Sequence, residues 1–141
     1  MRPEAPSIDL PYDASSVRAA RHWTASVLDG VVGRDLIYNI TVCVSELVTN
    51  SIEHTAPTDH RKDVTCKVRI RPLVSATLIH VECIDAGSEK RKPIGRAVVD
   101  TDEHGRGLHI VAGFADDWGY DDTIPGQRTT WFIVVVESSD I

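Results

Sequence analysis

The sequence lacks three features that would each define a class of protein: a long apolar segment, an excess of positive charge and a dense set of cysteines. No stretch approaches the ~20 apolar residues of a membrane helix, and residues 1–6 lack the apolar run of a signal peptide. The 21 acidic residues outnumber the 15 basic ones, so no bulk positive field favours nucleic-acid phosphates. We therefore expect a cytoplasmic protein that binds neither membranes nor nucleic acid directly.

The three cysteines are too few and too widely spaced for a disulfide framework or a four-ligand zinc site. Cys43, Cys66 and Cys83 all lie within apolar patterns, which predicts buried thiols. With 141 residues and ordinary hydrophobic and charged fractions, the chain has the size of one folded domain. We expect residues 1–141 to form that single domain, with residues 1–12 flexible.

Three segments show the apolar spacing of amphipathic helices: residues 17–28, 35–56 and 106–114. Ser15 or Ser16 is expected to cap the first helix, which Gly30 and Gly33 end. In the third helix, we expect Leu108, Val111 and Ala112 to face inward.

Four segments have the period-two pattern or β-rich composition of strands: residues 64–71, 77–84, 118–120 and 129–136. They predict two hairpins, and the last strand is apolar enough to lie in the interior of the sheet. Residues 86–104 show no periodicity, and such long loops are often lids. The sequence thus predicts an α+β fold, a two-layer α/β sandwich with helices on one face of a mixed, mainly antiparallel sheet.

The second predicted helix carries a polar column, because Glu46, Asn50 and His54 recur every four residues along the flank of its apolar stripe. The carboxylate could accept a proton from an attacking hydroxyl, and the amide oxygen is a neutral hard ligand for Mg²⁺. Taken alone, such a column is more often an ordinary solvated helix face.

Two glycine-containing motifs follow. Asp85-Ala86-Gly87 comes directly after a strand, where the carboxylate could accept a hydrogen bond from an exocyclic amine such as that of adenine. The segment 105–108, Gly-Arg-Gly-Leu, opens the third predicted helix, where free amide groups and a guanidinium suit phosphates. Each pattern also has a purely structural interpretation, the first as a turn and the second as a hinge.

Taken together and in this order, residues 46–54, 85–87 and 105–111 resemble the N, G1 and G2 boxes of the GHKL (Bergerat-fold) ATPases. The similarity is strongest to the anti-sigma-factor serine/threonine kinase branch, whose N box likewise reads Glu-x-x-x-Asn-x-x-x-His. The resemblance covers most of the chain and implies a sandwich of the Bergerat type that uses ATP and Mg²⁺.

The resemblance also implies residue roles. Glu46 would be the base on the substrate serine, Asn50 the Mg²⁺ ligand and Asp85 the adenine reader. The nucleotide-binding positions that it implies are Asn50, Asp85, Gly87, Gly105, Arg106, Gly107, Leu108 and Thr129. Among these, Thr129 would support the adenine site, whereas for His54 a packing role is as consistent as a chemical one.

The function implied is that of a bacterial regulator that holds a sigma factor and phosphorylates Ser or Thr on an anti-anti-sigma antagonist, with homodimerisation common in this branch. The alternative is a nucleotide-binding module that sequesters its partner without kinase activity. Glu89, where the family's G1 box has a second glycine, and Gln127, where a glycine is usual, favour this alternative, whereas an intact Glu46 and Asn50 favour phosphate transfer. A sensor histidine kinase is a third hypothesis, disfavoured by the short G2 box.

Overall fold

The computed structural model describes residues 5–88 and 103–138, of which residues 103–107 in backbone only. The elements found there follow in the order β1 (Ser7–Pro11), α1 (Ser15–Leu28), α2 (Arg34–His54), β2 (Asp63–Pro72), β3 (Ala76–Asp85), α3 (Glu103–Phe114), β4 (Asp117–Asp121) and β5 (Arg128–Glu137). Among the helices described, none combines the length and apolar character needed to cross a membrane.

The five strands form one sheet in the order β1-β2-β3-β5-β4. Both predicted hairpins are confirmed, and β5 lies between β3 and β4, as its apolar composition predicts. The expectation of a mixed sheet is wrong, because every pair of strands described is antiparallel. β3 and β4 are connected through α3 and run in the same direction, so they would form a parallel pair if they were neighbours. Instead, β5 lies between them and pairs with both.

The helices pack on one face of the sheet, which confirms the two-layer architecture. Alternate residues of the strands and the apolar stripes of the helices meet in one core, whose fully buried side chains include Leu28, Ile40, Val44, Leu47, Ile79, Val81, Val111 and Phe132. All three cysteines are buried free thiols, as predicted. The core supports α2 along its length, and α2 carries the candidate base Glu46 and the candidate Mg²⁺ ligand Asn50.

The strand β1 was not predicted. The segment expected to be flexible forms an edge strand over Ser7–Pro11, which pairs with β2 through contacts such as Leu10 opposite Val64. Pro6 precedes this strand and Pro11 is its last residue, and edge strands tolerate proline because one row of their backbone groups needs no sheet partner. A five-residue strand with one buried side chain gives too weak a periodicity to recognise from sequence.

The helix boundaries need two corrections. Neither serine caps α1, because the N-cap is Ala14, and the hydroxyl of the buried Ser16 instead donates to the carbonyl of Pro11 at 2.6 Å. α3 begins at Glu103, three residues before the predicted start, and Ala112 is exposed while Leu108 and Val111 are buried.

Candidate nucleotide-binding site

The candidate adenine reader, Asp85, is the last residue of β3 and is only 3% exposed. Its side chain lies on the helix-facing side of the sheet, because Arg128 is its direct partner on β5 and paired residues share a face. There it meets Ser51 of α2. The structure thus brings the predicted N and G1 boxes into direct contact.

Hydrogen bonds fix both carboxylate oxygens of Asp85. The Ser51 hydroxyl donates to Oδ2 at 2.5 Å, and the backbone N–H of Gly87 donates to Oδ1 at 2.7 Å. Burial raises the pKa of Asp85, an effect that these two donors and the charge of Arg128 oppose. Since each carboxylate oxygen has a second lone pair, Asp85 can still accept a hydrogen bond from a ligand amine.

The turn after Asp85 is held by residues that the sequence did not single out. Gly87 has a φ of +73°, a conformation that favours glycine. The N–H of Ala86 donates to the Tyr12 hydroxyl at 3.1 Å, and that hydroxyl is hydrogen-bonded to the Thr55 hydroxyl at 3.0 Å. Tyr12, between β1 and α1, and Thr55, after α2, therefore fix the turn from the helix side.

Arg128 was also missed. This side chain is 4% exposed, and its guanidinium donates to the carbonyl of Ser88 at 2.8 Å. The guanidinium also lies 3.9 Å from the Asp122 carboxylate and 5.9 Å from the centre of the Tyr120 ring. The sequence did carry one signal, because this arginine starts an apolar interior strand. A charged side chain at such a position requires a partner, since buried charge is costly.

The predicted polar column borders the core, as expected from its spacing. Glu46, Asn50 and His54 are all half-buried along one flank of α2. Burial, and secondly the charge of Glu53, raises the pKa of Glu46. His54 Nε2 lies 3.9 Å from a Glu53 carboxylate oxygen. The position of Glu46 gives it the more basic carboxylate that a proton acceptor needs.

Two predicted nucleotide-binding residues, Thr129 and Leu108, have side chains whose surroundings differ from those of Asp85. Thr129 pairs with Ile84, so alternation places its side chain on the sheet face opposite Asp85, whereas Thr130 is buried on the Asp85 side. Leu108 is 6% exposed and belongs to the hydrophobic core. Its side chain therefore packs α3 into the core, and nucleotide binding by these residues stays a prediction.

The glycine-rich motif lies in the first turns of α3. Because the helix begins at Glu103, Gly105 is among its first three residues, whose amides have no acceptor within the helix, whereas Arg106 and Gly107 are the fourth and fifth residues. The side chain of Arg106 lies outside the described residues. So does Glu89, and with it most of the expected lid.

A comparison with protein families identifies the fold. The family model described as the histidine kinase-like ATPase domain matches residues 10–134. The chain belongs to this family. The match supports an ATP-binding domain of the GHKL type and includes all the candidate site residues. No curated protein matches the sequence.

Membership in this family implies ATP as the ligand, typically with Mg²⁺, and the residues present fit both. Asp85 offers an acceptor to the adenine amine, and Asn50 offers an amide oxygen to the cation. In residues 5–88 and 103–138, no group of three or more His, Cys, Asp or Glu is arranged to hold a metal ion. Asn50 would hold the cation together with phosphate oxygens of the nucleotide, a common arrangement for Mg²⁺.

Proposed function

We propose that this ATPase domain is a protein serine/threonine kinase that acts as an anti-sigma factor. It holds a sigma factor, and it uses Mg-ATP to phosphorylate Ser or Thr on an anti-anti-sigma antagonist. The observation that carries the proposal is that one helix, α2, holds the candidate base and the candidate Mg²⁺ ligand and is also hydrogen-bonded to the adenine reader.

The spacing on α2 supports this arrangement. Glu46 and Asn50 are one helical turn apart, a rise of about 6 Å along the axis. The next residue, Ser51, binds Asp85 directly. Because a packed helix is rigid, binding adenine at Asp85 would place the phosphates at a defined distance from Glu46.

The proposed reaction divides the work among these residues. Asp85 accepts a hydrogen bond from the adenine amine, and Asn50 holds Mg²⁺, which when bound neutralises charge on the phosphates. The hydroxyl oxygen of the substrate bonds to the γ-phosphorus, and Glu46 accepts the proton of that hydroxyl. At the same time the bond between the γ-phosphorus and the bridging β–γ oxygen breaks, and ADP leaves. The free amides at the start of α3 suit the anionic phosphates.

The experiment uses Glu46→Gln, with Glu53→Gln on the same helix as a matched control, since Glu53 is exposed. ATP binding is measured by calorimetry, and transfer of labelled γ-phosphate to proteins of a bacterial lysate is followed by mass spectrometry of the labelled bands. We expect all three proteins to bind ATP. Wild type and Glu53→Gln should label Ser or Thr, and Glu46→Gln should be slower by ~100-fold or more.

Two other outcomes would contradict the proposal. ATP binding without labelling by the wild type would favour the partner-sequestering module. Labelling that persists at the wild-type rate in Glu46→Gln would exclude Glu46 as the base.

A further inference from the structure

A chain of buried side chains leads from the hydrophobic core to Asp85. The Ser51 hydroxyl, which donates to Asp85 Oδ2 at 2.5 Å, also lies 3.3 Å from the Cys83 sulfur. Cys83 is two positions before Asp85 on β3, so the two side chains share the helix-facing side of the sheet. Ser51 is 4% exposed and Cys83 is 1% exposed. Buried polar groups require partners, and these groups provide them for each other.

A second buried thiol lies directly opposite Cys83 in the sheet. Cys66 of β2 is its cross-strand partner. The backbone N–H of Val68 donates to the carbonyl of Pro6 at 3.1 Å, so the N–H groups of Val68 and, two residues earlier, of Cys66 point toward β1 and away from β3. Cys66 and Cys83 therefore form a non-hydrogen-bonded pair, the kind in which opposite side chains come closest. Their thiols are hydrogen-bonded to each other.

The direction of the hydrogen bonds follows from the protons that are available. An ionised carboxylate has no proton to donate, so the single hydroxyl proton of Ser51 goes to Asp85. The Ser51 oxygen is then an acceptor, and the thiol of Cys83 is the donor beside it. The Cys66 thiol can in turn donate to the Cys83 sulfur. Donation therefore runs from the core toward the carboxylate.

These hydrogen bonds fix the orientation of the Asp85 carboxylate. Its Oδ1 accepts from the N–H of Gly87, and its Oδ2 accepts from Ser51. With both oxygens bonded, the carboxylate cannot rotate freely, and its remaining lone pairs keep one direction. The Cys83 thiol strengthens this arrangement, because each donor in a chain of hydrogen bonds polarises the next. Without that thiol, the Ser51 hydroxyl would be held less firmly in the direction of Asp85.

The position of Cys83 suits cysteine for a reason beyond packing. Its neighbours along the helix-facing side of β3 are apolar core residues such as Val81, and an alanine or a valine could fill such a position. A thiol is similarly small and apolar, and in addition it carries a weak donor. Cys83 therefore supplies the Ser51 oxygen with a hydrogen bond at little cost in burial.

We propose that Cys83 is a positioning residue for recognition of the nucleotide base. Through Ser51, its thiol sets the direction in which Asp85 accepts a hydrogen bond from the 6-amino group of a purine. Because Cys83 acts on the ligand through these two residues, its effect concerns the base and not the phosphates. The inference rests on Asp85 as the adenine reader, which is part of the proposed function, and it is independent of phosphate transfer.

The first test compares the affinity for ATP with that for purine riboside triphosphate, which is ATP without its 6-amino group. Calorimetry measures both for wild type, Cys83→Ala, Cys83→Ser and the control Cys43→Ala, which removes another buried thiol. We expect wild type and Cys43→Ala to prefer ATP by about tenfold or more. Cys83→Ala should lower this preference by about threefold or more, and Cys83→Ser, which keeps a donor, should retain most of it. A loss of packing alone would weaken both nucleotides equally and leave the preference unchanged.

A double variant tests whether Cys83 acts through Ser51. Ser51→Ala should lower the preference for ATP more than Cys83→Ala does, because it removes the donor to Asp85 itself. If the thiol acts only through this hydroxyl, adding Cys83→Ala to Ser51→Ala should lower the preference no further. Circular dichroism verifies that each variant is folded.

The outcomes separate the role of Cys83 from that of Asp85. A preference for ATP that Cys83→Ala leaves unchanged, or that it lowers equally with and without Ser51, would overturn the role of Cys83 and leave Asp85 as the adenine reader. A wild type that binds both nucleotides equally would overturn both roles.

Discussion

The proposed site has an adenine end and a catalytic flank, and the two are built in different ways. At the adenine end, Asp85 and its turn are hydrogen-bonded by Tyr12, Ser51 and the guanidinium of Arg128, which come from three separate parts of the chain. The catalytic flank depends on the helical spacing of Glu46 and Asn50 on α2. One end is defined by tertiary contacts, and the other by a single helix.

This difference assigns separate tasks to the two ends. The adenine end is buried, and hydrogen bonds hold the Asp85 carboxylate in place before any ligand arrives, which lowers the entropic cost of binding. The catalytic flank stays half-exposed, so that a protein substrate could reach Glu46. We therefore expect substitutions at the adenine end to change affinity, and substitutions near Glu46 to change rate and its dependence on pH.

The largest effect is expected for Asp85→Asn. The amide cannot accept hydrogen bonds at both positions, and a lost bond to a charged group costs up to ~3 kcal/mol, so calorimetry should show ATP binding weaker by about 100-fold. Since burial raises the pKa of Asp85, the charged form opposes folding as pH rises through that pKa. Asp85→Asn removes this dependence of stability on pH, which thermal unfolding of the variant and of wild type across that pH range measures.

Asp59→Asn, at an exposed turn, is the matched control and should bind ATP as the wild type does. A variant Asp85→Asn that binds ATP normally would show that Asp85 does not read adenine.

A smaller effect is expected for Tyr12→Phe, which removes the hydroxyl bonded to the N–H of Ala86 and to Thr55. Leaving these groups without that partner should cost about 1–2 kcal/mol of unfolding free energy, and it should weaken ATP binding by several-fold. Denaturant unfolding and calorimetry measure the two quantities. Tyr38→Phe, at an exposed tyrosine, should change neither, and equal behaviour of both variants would show that the turn does not depend on Tyr12.

The smallest effect is expected for Glu53→Gln, seen in the pH profile of phosphate transfer. A base must be deprotonated, so the rate rises with pH through the pKa of Glu46. Burial is the main cause of that raised pKa and the charge of Glu53 the second, so removing this charge should shift the rising limb to lower pH. An unmoved limb would mean that a different group controls the rate.

The helices and the two hairpins could be predicted because their periodicity lies within one segment. The period of α2 and the alternation of β2 follow from how each segment places side chains on a buried face. β1 could not be predicted in this way, because a short edge strand owes its existence to hydrogen bonds with β2. The start of α3 was misplaced because Glu103 and His104 carry no apolar signal.

Within the site, the sequence indicated Glu46, Asn50, Asp85 and Gly87 because each belongs to a local motif. It could not indicate Tyr12, Thr55 or Arg128, since their partners lie far away in the chain. For Thr129, the local motif could not show which face of the sheet the side chain occupies. A motif suggested its role, and the strand register places Thr130 on the Asp85 side instead.

By itself, the sequence determined the class of fold, the order of the motifs and the residue types available for binding nucleotide. These depend on local periodicity and on the chemistry of individual side chains. The tertiary structure alone decided which groups hold Asp85 and which threonine shares its face. Those features depend on register and on contacts between distant segments, and a linear pattern carries no information about either until the chain is folded.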